Sequence, residues 1–216
     1  MKKEYAAIPP SMATMETYGF SWMDFVTAIP APLFLATTYK DNGKTNACMQ
    51  SWACFTGSGE GFFAILSNVN TAGHFYQTLK QTGACALNFP SADVYDRCLS
   101  TIRNNGWDTD EIAASGLTAE AASTVNAPRV KECFLTLECE YGWEKALIEG
   151  GAHTLLCLRV KNVCLDEEHA NEAALGRYGD AGYLYNVHYP VNPEAYAGKA
   201  RDYIAVLKKL KDMGEY

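Results

Sequence analysis

Two stretches of the chain hold residue types at a spacing that invites a chemical reading. The first is Gly57-Ser58-Gly59-Glu60-Gly61. A glycine-rich loop cradles a pyrophosphate when it reads G-x-G-x-x-G and opens a helix whose free N–H groups receive the anion. Here the third glycine comes one place early, and the apolar run Phe62–Leu66 follows where a helix is required. The segment therefore reads as a plain turn. The chain also holds no G-x-x-x-x-G-K-[ST], no G-x-S-x-G and no H-E-x-x-H, so phosphate-loop, serine-hydrolase and zinc-protease chemistry lose their usual carriers.

The second stretch is polar and punctuated. Asn46, Gln50 and Ser51 are followed by Trp52, then come Ser67 and Asn68, and Asn70-Thr71 opens a helical pattern. These are amides, hydroxyls and an indole without a nucleophile and base at their side, which suits holding a ligand rather than attacking one. An anion at the helix start would meet unpaired N–H groups, the positive end of the dipole and the Thr71 hydroxyl. The same spacing is met if Thr71 only caps the helix and Ser67-Asn68 only makes a turn. His153, at the start of a later strand, reads from the residues alone as a structural histidine.

The elements that must position these groups can be traced. Residues 1–28 form an entry segment with a short helix. Leu33–Thr38 is β-rich, Asp41-Asn42-Gly43 is a hairpin turn, and Thr45–Ala53 returns as the partner strand. Phe62–Leu66 and Ala84–Phe89 are short apolar runs bounded by turn residues and read as buried strands. Between them Ala72, Phe75, Tyr76 and Leu79 fall at helical spacing, which predicts a helix over Thr71–Gln81. Residues 91–128 bring a helical stretch near Asp93–Arg103 and a loop at Asn104–Val125. Strands follow at about Arg129–Tyr141 and His153–Val163. Gly176–Pro190 reads as an aromatic loop suited to a pocket wall, with Tyr178, Tyr183, Tyr185, His188 and Tyr189. Asn192-Pro193-Glu194 then starts an amphipathic helix through Tyr196, Tyr203, Leu207 and Leu210. The expected fold is one mainly β domain, a closed or split barrel of six strands with peripheral helices.

Composition narrows the partners. The 216 residues carry 18 Lys+Arg against 25 Asp+Glu, a net charge of −7, which argues against nucleic acid and anionic membranes. No run approaches the roughly 18 apolar residues of a membrane helix. The segment MKKEYAAIPP lacks the apolar core of a secretion signal, so a reducing cytoplasm is expected. Eight cysteines are scattered without a C-x-x-C, and most read as small apolar core residues rather than redox dithiols. In Cys133, Leu135, Leu137 and Cys139 every second residue is apolar, so both sulfurs are expected to face one way.

Taken in order, PLFLATT (Pro32–Thr38), DNGKTN (Asp41–Asn46), Ser51-Trp52, Thr71, Asn88-Phe89-Pro90, Ala127-Pro128, Leu137-Glu138-Cys139 and His153 resemble the flavin reductase-like FMN-binding split barrels, and among them the flavoredoxin-type proteins most. The resemblance spans roughly residues 30–165, with a weaker echo after 176. It implies a six-stranded Greek-key split barrel that dimerises, with FMN in a groove between subunits. It also implies FMN contacts from Asn46 and Trp52, and Thr71 at the phosphate. The backbone from Cys48 through Met49 and Gln50 to Ser51 would run along the isoalloxazine edge. Ser67 and Asn68 fall at the same end, His153 takes the place of a flavin-site histidine, and Tyr183 or Tyr185 falls near an aromatic over the ring.

The departures from the family pattern are as informative. Asp110-Glu111-Ile112 stands where the family has Asp-Lys-Phe, Ala152 replaces an Asp, Gly59-Glu60-Gly61 replaces a double proline, and no arginine precedes Thr71. Fewer cations near a phosphate dianion imply weaker FMN affinity unless His74, Lys44 or a partner subunit compensates. The implied activity is an oxidoreductase that passes electrons from NAD(P)H through FMN. The alternatives are an FMN electron carrier exchanging electrons with a redox partner protein, and a ligand-binding barrel without flavin.

Overall fold

A computed structural model describes residues 1–13, 21–170, 182–188 and 204–207. Short helix α1 (Trp22–Thr27) is closed by a reciprocal capping box between Ser21 and Asp24. Strands β1 (Ala31–Pro32), β2 (Phe34–Tyr39), β3 (Thr45–Gln50), β4 (Ala53–Ser58) and β5 (Gly61–Asn70) lead to helix α2 (His74–Thr82) and β6 (Ala84–Phe89). Then come α3 (Tyr95–Ser100), α4 (Glu111–Ala114), β7 (Ala119–Ala121), β8 (Pro128–Val130), β9 (Leu135–Ala146), β10 (His153–Leu165), β11 (Leu184–Asn186) and β12 (Ile204–Val206).

The main sheet is antiparallel, with strand order β3-β2-β6-β9-β10-β5-β4. Its two outermost strands, β3 and β4, are consecutive in the chain and joined only by Ser51-Trp52. The sheet therefore curls until its edges meet at that link, where Ser67 N–H donates to the Trp52 carbonyl at 2.8 Å. Ring contacts across the interior, Phe34 to Phe55 at 5.8 Å and Phe55 to Phe89 at 5.6 Å, pack the curled sheet around a core. This is a split barrel with its seam at Ser51-Trp52. Six strands are expected from the sequence and the sheet has seven, because the predicted return strand breaks at the seam and β4 forms its own hairpin with β5. Gly59-Glu60 is the turn of that hairpin, as the failed nucleotide motif implies.

Strand β2 is buried on both faces, and two cores explain this. Phe34 and Ala36 point into the barrel with Leu66, Leu87, Leu156 and Leu158, while Leu35 joins Ala47, Val94, Cys98, Ile112, Leu117 and Val130 outside it. The predicted loop at Asn104–Val125 thus carries α4 and β7 and lays a second apolar layer on the barrel wall. Asn88 links the two layers. Its Nδ2 donates to the Thr37 hydroxyl at 2.9 Å, and its Oδ1 accepts from Val130 N–H and the Thr136 hydroxyl, both at 2.9 Å.

Three expectations change. Cys133 lies in the turn before β9 and packs in the outer core, whereas Cys139 packs inside the barrel; the turn at 131–134 resets the alternation, so the two sulfurs face different layers. The aromatic segment around Tyr185 is in part strand β11, paired with β1 and β12. Ile204–Val206 are extended in β12 and Leu207 follows outside any helix, so the predicted C-terminal helix does not run through them; the other residues of that helix, with Tyr178 and Tyr189, lie outside the described residues. Among the described residues no helix is long and apolar enough to cross a membrane.

Candidate functional site

Strand β3 is an edge strand, and its outward backbone groups need partners. Ala47 N–H finds one in Glu111 Oε2 at 2.9 Å. In an antiparallel strand, alternate residues aim their backbone groups to the same side. Met49 therefore presents its N–H along the same open edge as Ala47.

Helix α2 begins beside this edge. Phe75 and Leu79 bury its inner face, each contributing about 1.5–3 kcal/mol, and Thr78 Oγ1 meets Thr38 Oγ1 of β2 at 2.6 Å. The sequence expects the helix from Thr71; it starts at His74, with Gly73 as N-cap and no side chain capping it. The reason lies in the preceding turn. Gly73 N–H donates to the Asn70 carbonyl, Ala72 N–H donates to Asn70 Oδ1, and both the N–H and the hydroxyl of Thr71 donate to the Ala152 carbonyl, at 2.9 and 3.1 Å.

Between the β3 edge and this helix start lies a pocket of about 230 Å³. Asn46, Cys48, Met49 and Gln50 form one wall, Asn70, Gly73 and His74 the other, and Thr101, Ile102 and Asn105 the rim. Gln50 Nε2 donates to Cys48 Sγ at 3.1 Å. Burial pushes the Cys48 thiol above its ordinary value, with the Gln50 contact opposing, so at neutral pH it is a neutral, apolar surface and not a nucleophile.

Behind the pocket sits a fully buried ion pair. Lys40 Nζ lies 2.8 Å from Glu111 Oε1 and also donates to the carbonyls of Gly106 and Thr109, at 2.8 and 2.7 Å. Glu111, which the sequence resemblance aligns with a lysine, here caps the β3 edge and ties α4 to the barrel. His74 Nδ1 lies 3.7 Å from Glu111 Oε1 and is buried without a hydrogen-bond partner among the described residues. Trp107 meets the His74 ring edge-on at 5.0 Å. Lys44 donates instead to the Asp108 carbonyl, so of the two candidate compensating side chains His74 is the one lining the pocket.

The other predicted residues fall into two groups away from this pocket. Ser51 Oγ accepts from Asn186 Nδ2 at 3.2 Å, Trp52 stacks on His188 at 5.4 Å and 8°, and Tyr185 sits beside them on β11 opposite Pro32. Burial holds His188 below its ordinary value. Ser67, Asn68, Thr71 and His153 gather where β5 meets β10. Asn68 takes a left-handed φ of 58° at the bulge between Thr154 and Leu156, and His153 pairs with Asn70. Sequence reading passes over Lys40 and gives Glu111 only as a missing lysine; buried charge pairs from distant segments leave no local signal.

A family model described as the flavin reductase-like domain matches residues 26–189. The chain belongs to this family. Its relatives include the uncharacterized protein YdfE of Bacillus subtilis (strain 168), 26% identical over an alignment of 162 residues that covers 64% of this chain and 74% of that protein. The fold is shared with the nitrilotriacetate monooxygenase component B from Bacillus cereus, with a TM-score of 0.76 at 17% identity over 98% of this chain and 100% of that one. It is also shared with the flavoredoxin of Desulfovibrio vulgaris (Miyazaki F), with a TM-score of 0.71 at 19% identity over 98% and 96%.

Proposed function

We propose that this chain binds FMN and works as an oxidoreductase of flavin reductase type. The observation that carries the proposal is the pocket in which an open β3 backbone edge faces the uncapped start of α2. The donor set suits FMN. Isoalloxazine is an apolar slab with a polar rim, which Cys48, Met49 and the β3 backbone can receive. A phosphate suits the backbone N–H groups of the α2 start, where the His74 ring also lines the pocket. Bound FMN supplies the hydride and electron chemistry; the chain's residues orient the ring along β3, hold the phosphate and exclude water from one face.

The pocket accounts for one side of such a ligand. A second copy of the chain completes the groove in this proposal, bringing Ser51, Trp52, Thr71, His153 or Tyr185 of one subunit to the flavin of either. Phe62, Trp143 and Val163 are exposed on the neighbouring strands β5, β9 and β10 and supply apolar surface for the contact. Sedimentation at micromolar concentration should give twice 23.7 kDa; a species of single mass would contradict the shared groove.

One observation favours the carrier alternative. No lysine or arginine lines the described pocket, and the net charge is −7, so an anionic nicotinamide cofactor meets little attraction. Anaerobic addition of NADH or NADPH to the flavin-loaded protein separates the two. Bleaching of the flavin bands marks a reductase, and an unchanged spectrum marks a carrier that exchanges electrons with a redox partner protein.

A further inference from the structure

Strand β10 ends at Leu165 and the chain turns through Asp166 into a single 3-10 turn, Glu167–His169. The turn is fixed to the barrel: Asp166 N–H donates to the Phe134 carbonyl and His169 N–H to the Asp166 carbonyl, both at 2.9 Å. His169 is drawn inward, only 5% exposed, with its ring stacked on Phe134 at 4.7 Å and 19°. Phe134 in turn meets Tyr183 at 5.1 Å. The stacking satisfies the ring faces but not the nitrogens. Both Nδ1 and Nε2 are buried without a hydrogen-bond partner among the described residues, an unfavourable state for an imidazole.

Two exposed carboxylates stand in front of that imidazole. Glu168 Oε1 lies 3.9 Å from His169 Nδ1, and one ligand atom each from Asp166, Glu168 and His169 fit within 4.8 Å of one another. Asp166, Glu167 and Glu168 line a shallow surface depression, so the carboxylates are open to solvent. The anchoring side chain is rigid and the two exposed ones can swing the short distance that closes a coordination shell.

We propose that Asp166, Glu168 and His169 form a binding site for a divalent transition-metal cation, separate from the flavin pocket. One imidazole nitrogen with two carboxylates is a borderline donor set that suits Zn²⁺, Co²⁺ or Mn²⁺ better than Ca²⁺, which takes six or more oxygens. Water fills the remaining positions on the solvent side. The bound cation would give the buried imidazole its missing partner and neutralise paired carboxylates on an acidic protein. It would also lock the 3-10 turn onto the Phe134–Tyr183 aromatic cluster, so its role is structural.

Co²⁺ tests this on the full chain after chelator treatment, by calorimetry and difference absorption. The expected result is saturable binding of one Co²⁺ per chain in the micromolar range, without the near-ultraviolet charge-transfer bands of cobalt–thiolate bonds. His169→Gln should weaken binding about tenfold or more. Glu168→Gln alters only an exposed side chain, keeps the fold, and should weaken binding several-fold. The proposal is overturned by an absence of saturable binding, by thiolate bands that move the ion to the cysteines, or by equal affinity in the wild type and Glu168→Gln.

Discussion

Two residues near the start of α2 have different standing, since only His74 lines the pocket. Thr71 is the residue that the family resemblance sets at the phosphate, yet its hydroxyl is already committed to the Ala152 carbonyl. His74, the residue after the glycine that ends that turn's hydrogen bonding to Asn70, lines the pocket, with its Nδ1 turned to Glu111 at 3.7 Å. His74→Ala should therefore weaken FMN retention about tenfold, the worth of one charge-assisted hydrogen bond, while Thr71→Ala should weaken it by less. Fluorescence titration of the apoprotein with FMN measures both. An effect of Thr71→Ala larger than that of His74→Ala would move the phosphate toward the β5–β10 end. Glu111 shows why one residue in a motif can be misjudged from sequence. Its place in Asp110-Glu111-Ile112 reads as a lost cation, whereas its oxygens serve Lys40 and Ala47, contacts that bridge more than sixty residues of chain and so leave no mark in the local pattern.

Among the elements, those legible in the sequence are those whose determinants are local. The Asp41–Gly43 turn joins β2 and β3 as expected, with Gly43 at φ 78° and Asn42 Oδ1 accepting from Lys44 N–H. Strands β6 and β10 and helix α2 follow from apolar spacing within one or two residues at most ends. What fails depends on tertiary partners. The break at Ser51-Trp52 follows from barrel closure, β7 forms only by pairing with β8, and β12 pairs with β11 in place of continuing a helical stripe. The β7–β8 hairpin also hangs on one carboxylate. Glu138, buried on β9, accepts from Ser123 N–H, Thr124 N–H and the Thr124 hydroxyl, and lies 3.5 Å from Arg129. Burial alone would raise its carboxyl, but these hydrogen bonds outweigh it and hold the group below its ordinary value. The stabilisation is thus complete above the ordinary carboxylate value and is lost as the pH falls through the depressed folded value. Glu138→Gln should cost about 1–3 kcal/mol at neutral pH and flatten the acid limb of stability. Denaturant unfolding across the acid range checks it; an acid limb identical to the wild type would remove Glu138 from that role.

For the whole molecule, the barrel is a scaffold with one seam. The edges β3 and β4 meet at a two-residue link, the outer layer of α3, α4, β7 and β8 supports β3 from behind, and α2 plugs the barrel end so that its uncapped start faces the same edge. Three features, an edge strand, a helix terminus and the His74 imidazole, converge on one pocket. That convergence, with membership of the flavin reductase-like family, is the ground for the proposed flavin binding. The visible spectrum of the purified protein, before and after incubation with FMN and removal of the excess, decides it. The expected outcome is a yellow protein, as isolated or after reconstitution, with one FMN per chain and flavin bands that persist through desalting. A colourless protein that FMN cannot reconstitute would contradict flavin binding.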